Sequence, residues 1–209
     1  MAKLPWPPAP DALARRAPAQ TVTLDPDMAL FRIYAARGTH PGVWDRLRRF
    51  GPVATARFDH HDPPPHDQDR SIAYLAARVR TTVAEFFQRT RLVDRVADDP
   101  WLVGLRLTRA VVVLDVRGGW PTRAGASQAI SSGPRDRARA WSRAAYAAFP
   151  EVEGLVYRSR VDGGAPAVAL YEPAADAWPD RPEVHVPLSH PGLVVPLAQV
   201  AITLGYRFR

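Results

Sequence analysis

Apolar and polar residues alternate along MALFRIYAA (28–36) and again along SIAYLAA (71–77), the period-2 signature of strands with one buried face. Between them, residues 37–56 follow no regular pattern except VWDRLRRF, whose spacing predicts a short helix. VRTTVAEFFQRTRLVDRV (79–96) brings Val79, Val83, Phe86, Phe87 and Val93 onto one helical face, with Thr81 and Thr82 near its start. WLVGLRLTRAVVVLDVRG (101–118) reads as two strands, or one long bent strand, with LTRA at the break. PTRAGASQAI (121–130) opens a short helix. GPRDRARAWSRAAYAAFP (133–150) is an amphipathic helix that begins at Pro134 and stops at Pro150. GLVYRSR (154–160), the turn VDGGAP and AVALYE (167–172) predict a β-hairpin. A proline-rich passage (173–191) then leads to a closing helix or strand over 193–209. Residues 1–26, rich in Pro and Ala without a clean period, read as an extended arm or a poorly ordered leader. The order of elements over 27–209 is that of a single mixed α+β domain with a mostly antiparallel sheet and flanking helices.

Composition narrows the class. The 209 residues suffice for one sizeable core, and 46% hydrophobic with 23% charged residues is ordinary for a globular chain. No apolar run approaches the roughly 18–20 residues that span a bilayer. The longest, LVVPLAQVAITLG at 193–205, is broken by Pro196 and Gln199. Prolines stand where a signal peptide needs its apolar core, so a cytoplasmic protein is expected, with no membrane partner. Without cysteine there is no disulfide, thiolate metal site or catalytic thiol. The net charge of +7 is carried almost wholly by arginine, Lys3 being the only lysine. Arginine forks grip phosphates, but lysine depletion beside abundant Ala and Pro reads first as genome composition.

Four stretches suggest chemistry. ARFDHHDPPPHDQD (56–69) invites a metal, but His60 and His61 are adjacent on an extended segment and His66 lies beyond three prolines. A solvated, flexible loop without metal is expected. GASQA (125–129), with His185 and His190 downstream, approaches a nucleophile elbow. RGGWPTRAGA separates Ser127 from the preceding strand and the second glycine is missing, so a helix start is expected instead. Arg46, Arg48, Arg49, Arg135, Arg137, Arg139 and Arg143 could contact nucleic-acid phosphates, yet aromatic interleaving and a helix-turn-helix pattern are missing. A nucleic-acid-binding basic protein stays an alternative. Glu85, amid Val83, Ala84, Phe86 and Phe87, either turns outward or has a task, and periodicity leaves both open.

FRIY (31–34), ARF (56–58), AYLA (73–76), AEFF (84–87) and GLVYRS (154–159) occur in an order that resembles the RES-domain family over about 28–175. That family is named for an arginine, a glutamate and a serine, and its members are typically toxins of bacterial toxin–antitoxin pairs. Carried over, the motifs fall on Arg32, Arg57, Tyr74, Glu85 and Ser159, with the family's eleven-residue step from Tyr74 to Glu85. Phe58 replaces the family's Trp, Asp59 its Asn, and Thr55 and Ala56 its glycines, while Ser159 sits in YRSR. The resemblance implies a fold similar to ADP-ribosyltransferases. It also implies cleavage of the nicotinamide–ribose bond of NAD⁺ by phosphorolysis or hydrolysis, with ADP-ribosyl transfer to a protein as an alternative. Glu85 and Arg57 would be catalytic; Arg32, Tyr74 and Ser159 would bind substrate; the Ser131-Ser132-Gly133 turn would be a secondary anion site. No cofactor is implied, NAD⁺ being substrate and inorganic phosphate an optional co-substrate. The implied partner is a cognate antitoxin with a helix-turn-helix-like domain, through which alone nucleic acid is met; a homo- or hetero-oligomer stays open. Without the resemblance, Arg32 reads as a partner of Glu85 within the sheet, Tyr74 as a core aromatic and Ser159 as a strand-end serine.

Overall fold

A computed structural model of the chain describes residues 4–39 and 41–209. Its elements are α1 (Pro10–Arg16), β1 (Thr21–Leu24), β2 (Leu30–Ala35), β3 (Arg48–Gly51), β4 (His66–Ala76), α2 (Val79–Phe86), β5 (Leu92–Val93), β6 (Pro100–Leu105), β7 (Val111–Asp115), α3 (Trp120–Ala124), α4 (Arg135–Ala148), β8 (Gly154–Arg158), β9 (Pro166–Tyr171), β10 (Val184–Pro187), α5 (Val194–Leu204) and β11 (Arg207–Phe208). The main sheet runs β1-β7-β8-β9-β4-β2-β6-β10, with β3 also on β4; β5 and β11 form a small second sheet. Every main-sheet pairing is antiparallel except β7 with β8. This is the mixed, mostly antiparallel α+β architecture that the pattern predicts, and the 154–172 hairpin forms as β8–β9.

Side-chain parity sorts the core into layers. On one face, Phe58, Ile72, Trp120, Trp141, Leu155 and Tyr171 pack beneath α1, α3 and α4. The pairing of Phe31 with Ala76 brings the odd positions of β2 onto this same face. There Ile33 and Leu102 meet Val83 of α2, Phe87 just past its end and Leu197 of α5. Two helical groups thus sit side by side on one face, one over β8, β9 and β4 and the other over β2 and β6. A cleft of about 950 Å³ opens where β4 and β2 meet. The opposite face holds Leu30, Tyr34, Leu75, Val103 and Leu170, covered by Trp44 and by the 3-10 turn Glu172–Ala177 with Trp178. No helix among the described residues is long and apolar enough to cross a membrane.

Several local expectations give way to tertiary pairing. The segment expected as an arm is, over residues 4–26, part of the body: Leu4, Leu13 and Ala17 are buried, and β1 pairs with β7 at the sheet edge. Trp141 Nε1 donates to the Pro5 carbonyl at 2.8 Å and Trp120 Nε1 to that of Ala17 at 3.3 Å. One buried leucine in a helix of seven residues, about two turns, leaves no period to read. Residues 1–3 of that segment lie outside the described residues. The helix expected in VWDRLRRF is replaced by β3, whose Arg48, Phe50 and Gly51 pair with Ile72, Asp67 and His66 of a longer β4. The helix expected over 79–96 stops at Phe86. Arg91 takes a left-handed φ of 48°, and Leu92–Val93 pairs with the C-terminal Arg207–Phe208, so Val93 enters the core from a strand.

Candidate active site

Glu85 lies on the last turn of α2, half-buried on the cleft wall. The fully buried Ser159, just past β8, hydrogen-bonds its carboxylate, while the Ser159 hydroxyl also accepts from the Val161 amide at 3.3 Å. Arg57, Arg160 and Arg135 surround the same carboxylate. Burial pushes the Glu85 pKa up, and the serine bond and three guanidinium groups only partly offset it. Arg57 hangs from the segment between β3 and β4, its Nη1 donating to the Gly133 carbonyl at 2.6 Å. Burial, followed by Arg160 and Arg135, lowers its pKa to about 10, with Glu85 acting in the opposite sense. Arginine therefore stays charged here, unlike a carboxylate that burial brings closer to neutrality.

Tyr74 points from β4 into the cleft wall, where its hydroxyl accepts from the Phe58 amide at 3.1 Å and donates to Asp59 Oδ1 at 3.3 Å. Four of the expected site residues, Arg57, Tyr74, Glu85 and Ser159, are thus brought together. Arg32 is not. Being of even parity in β2, it projects to the opposite face, and its neighbour Ile33 lines the cleft. Arg32 Nη1 donates to the carbonyls of Trp44 and Arg46 at 3.3 and 3.2 Å, and its guanidinium lies 5.9 Å from the Tyr34 ring centre. It neither reaches the cleft nor pairs with Glu85, which corrects both readings of it.

Further residues complete the wall: Ser131 of the expected anion-site turn, Arg48 and Arg135, which the sequence suggested only as nucleic-acid contacts, and Phe86, Arg89 and Arg160, to which it gave no site role. Arg48, Arg89, Arg135 and Arg160 line the cleft with Arg57, and Glu85 is the single acidic residue among the described lining. Phe86, 39% exposed, presents an apolar ring to the cleft and meets Phe87 edge-on at 4.8 Å. Ser131 lines the cleft with a buried hydroxyl that has no hydrogen-bond partner among the described residues. Arg160 was legible as the residue after Ser159 in YRSR, and Arg135 as the first residue after the helix-starting Pro134. Nothing in local pattern marks Arg48 or Arg89.

The His/Asp stretch departs from the solvated loop expected of it. Asp59, His60 and His61 are all fully buried, and only residues 62–67 are exposed throughout. The Asp59 carboxylate accepts from Arg48 and from the Val53 amide at 2.6 Å, which fixes the segment bearing Arg57. His60 Nε2 sits 2.9 Å from Glu172 Oε2, with its ring 4.0 Å from that of Tyr171. Burial lowers the His61 pKa to about 4. Its ring packs so closely on Gly51 that a Cβ there would lie 2.5 Å from His61 Cγ. No group of three or more His, Cys, Asp or Glu side chains among the described residues could hold a metal ion.

The remaining candidates have structural partners. Ser127 caps the 3-10 turn Gln128–Ser131 by accepting from the Ala129 amide, a helix start as expected. His185 bonds the Tyr34 hydroxyl at 2.8 Å, and His190 accepts from the Gly192 amide. Arg49 pairs with Asp69, Arg139 donates to the carbonyls of Ala54 and Ala56, and Arg137 covers the Trp6 ring at 4.2 Å. These three arginines thus have partners within the fold.

A model of the RES domain family matches residues 29–189 of this chain. No curated protein matches the sequence. Among solved structures, the fold is similar to a chain in the crystal structure of the M. tuberculosis MbcT–MbcA toxin–antitoxin complex. That likeness has a TM-score of 0.54 at 16% identity and covers 85% of this chain and 90% of the other.

Proposed function

The chain belongs to the RES domain family, and from that premise we propose that it is a toxin-type enzyme that cleaves the nicotinamide–ribose bond of NAD⁺. The observation that carries this reading is a lone, half-buried carboxylate, Glu85, held by Ser159 among arginines in a cleft of about 950 Å³. Nicotinamide leaves NAD⁺ as a neutral molecule because the C1′–N bond breaks with its electron pair going to a cationic ring nitrogen. No general acid is required, so one carboxylate serves where ordinary glycosidases use two. Glu85 stabilises the oxocarbenium-like ribose and holds its 2′-hydroxyl, and partial desolvation strengthens that attraction. An oxygen of phosphate or water then forms the new bond to C1′, and with water one proton is released.

The five arginines suit the pyrophosphate and any incoming phosphate through forked, charge-assisted hydrogen bonds. Ser131, which lines the same cleft, adds a buried hydroxyl without a partner among the described residues as a further donor. Phe86 offers the nicotinamide ring a flat apolar face, while Tyr74 holds the wall and the Arg57 segment through Phe58 and Asp59. The toxin–antitoxin setting of the structural neighbour supports a cognate antitoxin as partner. An antitoxin with an acidic tail and a helix-turn-helix-like domain fits a cleft rich in arginine, and NAD⁺ as substrate suits action in the cytoplasm.

Following NAD⁺ by chromatography with and without phosphate tests the reaction class. Release of nicotinamide is expected, with ADP-ribose 1″-phosphate as second product under phosphorolysis and ADP-ribose under hydrolysis. Label appearing on protein would reassign the enzyme as a transferase, and intact NAD⁺ under all conditions would reject the proposal.

A further inference from the structure

A buried carboxylate that the proposed chemistry does not use lies outside the cleft lining. Asp162 sits in the turn between β8 and β9, its side chain only 5% exposed, and it is not part of the cleft lining. Its Oδ2 accepts from the Thr81 hydroxyl at 2.6 Å and its Oδ1 lies 2.9 Å from Arg80 Nε. Thr81 and Arg80 belong to the first turn of α2, the helix that carries Glu85 on its last turn. The same β8–β9 turn begins at Ser159, whose amide donates to the Ala165 carbonyl at 2.8 Å and whose carbonyl accepts from Gly164 at 3.0 Å. Gly163 and Gly164, at φ of 57° and 80°, supply the left-handed backbone that closes it. A helix N-terminus favours a nearby anion, so Asp162 gains from both the helix dipole and its two side-chain partners.

We propose that Asp162 is a positioning residue that straps the β8–β9 turn to the start of α2 and thereby keeps the Ser159 hydroxyl on the Glu85 carboxylate. Both ends of the Ser159–Glu85 bond hang from elements that Asp162 joins: the turn on one side and the helix on the other. Removing the strap leaves both side chains intact but lets the turn move relative to the helix. This inference rests on Glu85 being the working carboxylate, yet part of its test needs no turnover.

The test compares wild type with Asp162→Asn, Thr81→Val, Thr81→Ser and Ser159→Ala in the full chain. Glu85 is titrated by NMR of its side-chain carboxyl. The groups facing it are Arg57, Arg135, Arg160, Tyr157 and Tyr206, and burial pushes both tyrosines further from the acid range. Because the Ser159 bond lowers the Glu85 pKa, Asp162→Asn and Thr81→Val are expected to move its midpoint upward, as Ser159→Ala does. Thr81→Ser, which keeps the hydroxyl, is expected to restore the wild-type midpoint. On NAD⁺, kcat is expected to fall between roughly ten- and a hundredfold in the two strap variants, with the acid limb of the pH profile displaced by the same amount. The double variant Asp162→Asn/Ser159→Ala is expected to be no worse than Ser159→Ala alone. A profile that is scaled down without displacement, or a Glu85 midpoint identical to wild type, would overturn the proposal. Should Asp162→Asn not fold, Thr81→Val carries the same comparison. A wild-type enzyme that leaves NAD⁺ intact would reject the functional reading, while the Glu85 midpoints would still decide the strap.

Discussion

Glu85 must be ionised to stabilise a developing cation, yet its surroundings resist ionisation, since burial outweighs Ser159 and three arginines. For an acid whose folded pKa is raised, the folded state holds the proton more tightly than the unfolded chain does. The stability penalty is absent below the unfolded pKa of about 4.3 and fully present above the raised value. Glu85→Gln is therefore expected to raise Tm by a few degrees at pH 7–8 and not at pH 4, read from thermal melts. Catalysis should show the mirror image, with kcat falling as pH drops through that same raised pKa. Arg135→Ala and Arg160→Ala are expected to raise KM for NAD⁺ roughly tenfold each, the loss of a charge-assisted hydrogen bond. Arg32→Met is expected to lower Tm while kcat/KM per folded molecule stays within about threefold, because its bonds go to Trp44 and Arg46 and not to the cleft. The grouping of Glu85, Ser159, Arg57 and Tyr74 in space follows the order of the motifs that suggested them. Arg32 was misplaced because a motif gives position along a strand, whereas parity decides the face and depends on which neighbours pair.

At the level of elements, alternation in β2, β4, β8 and β9 and the amphipathic pattern of α4 were readable because each buries one regular face. The segments misread are those whose shape comes from distant partners. β3 exists because β4 extends outward to receive it, and α1 because Trp120 and Trp141 meet its flanking carbonyls. Leu13→Ala is expected to destabilise by about 2–5 kcal/mol, the range for emptying a fully buried leucine site. Denaturant unfolding measures it; a loss under 1 kcal/mol would restore the arm reading. Burial of His61 has a pH consequence as well. Its folded pKa is about 4 against an unfolded value near 6.5, so stability is intact above about 6.5. Stability then falls progressively towards pH 4, because the unfolded chain takes up a proton that the folded chain resists. His61→Phe is expected to flatten the Tm-versus-pH curve over that interval; an unchanged slope would contradict the burial argument.

Across the whole molecule, the +7 balance does not spread as a uniform basic surface. Elsewhere arginines are matched by carboxylates, as Arg109 is by Glu153 and Asp176, while the cleft lining holds five arginines and one glutamate. That concentration is the electrostatic feature an anionic substrate or an acidic partner tail would meet, and it was invisible to a charge count along the chain. Apparent KM for NAD⁺ is accordingly expected to rise with ionic strength while kcat changes little, since screening weakens long-range attraction more than contacts within the desolvated site. The family and the fold class could be read from short motifs in order; the cleft itself could not, because it lies between two helical groups that sequence order separates. The most direct measurement is nicotinamide release from NAD⁺ by the purified chain beside folded Glu85→Gln. The account expects turnover by wild type and a loss on the order of a hundredfold or more in the variant. Wild type that leaves NAD⁺ intact, or a Glu85→Gln protein that matches wild type, would contradict it.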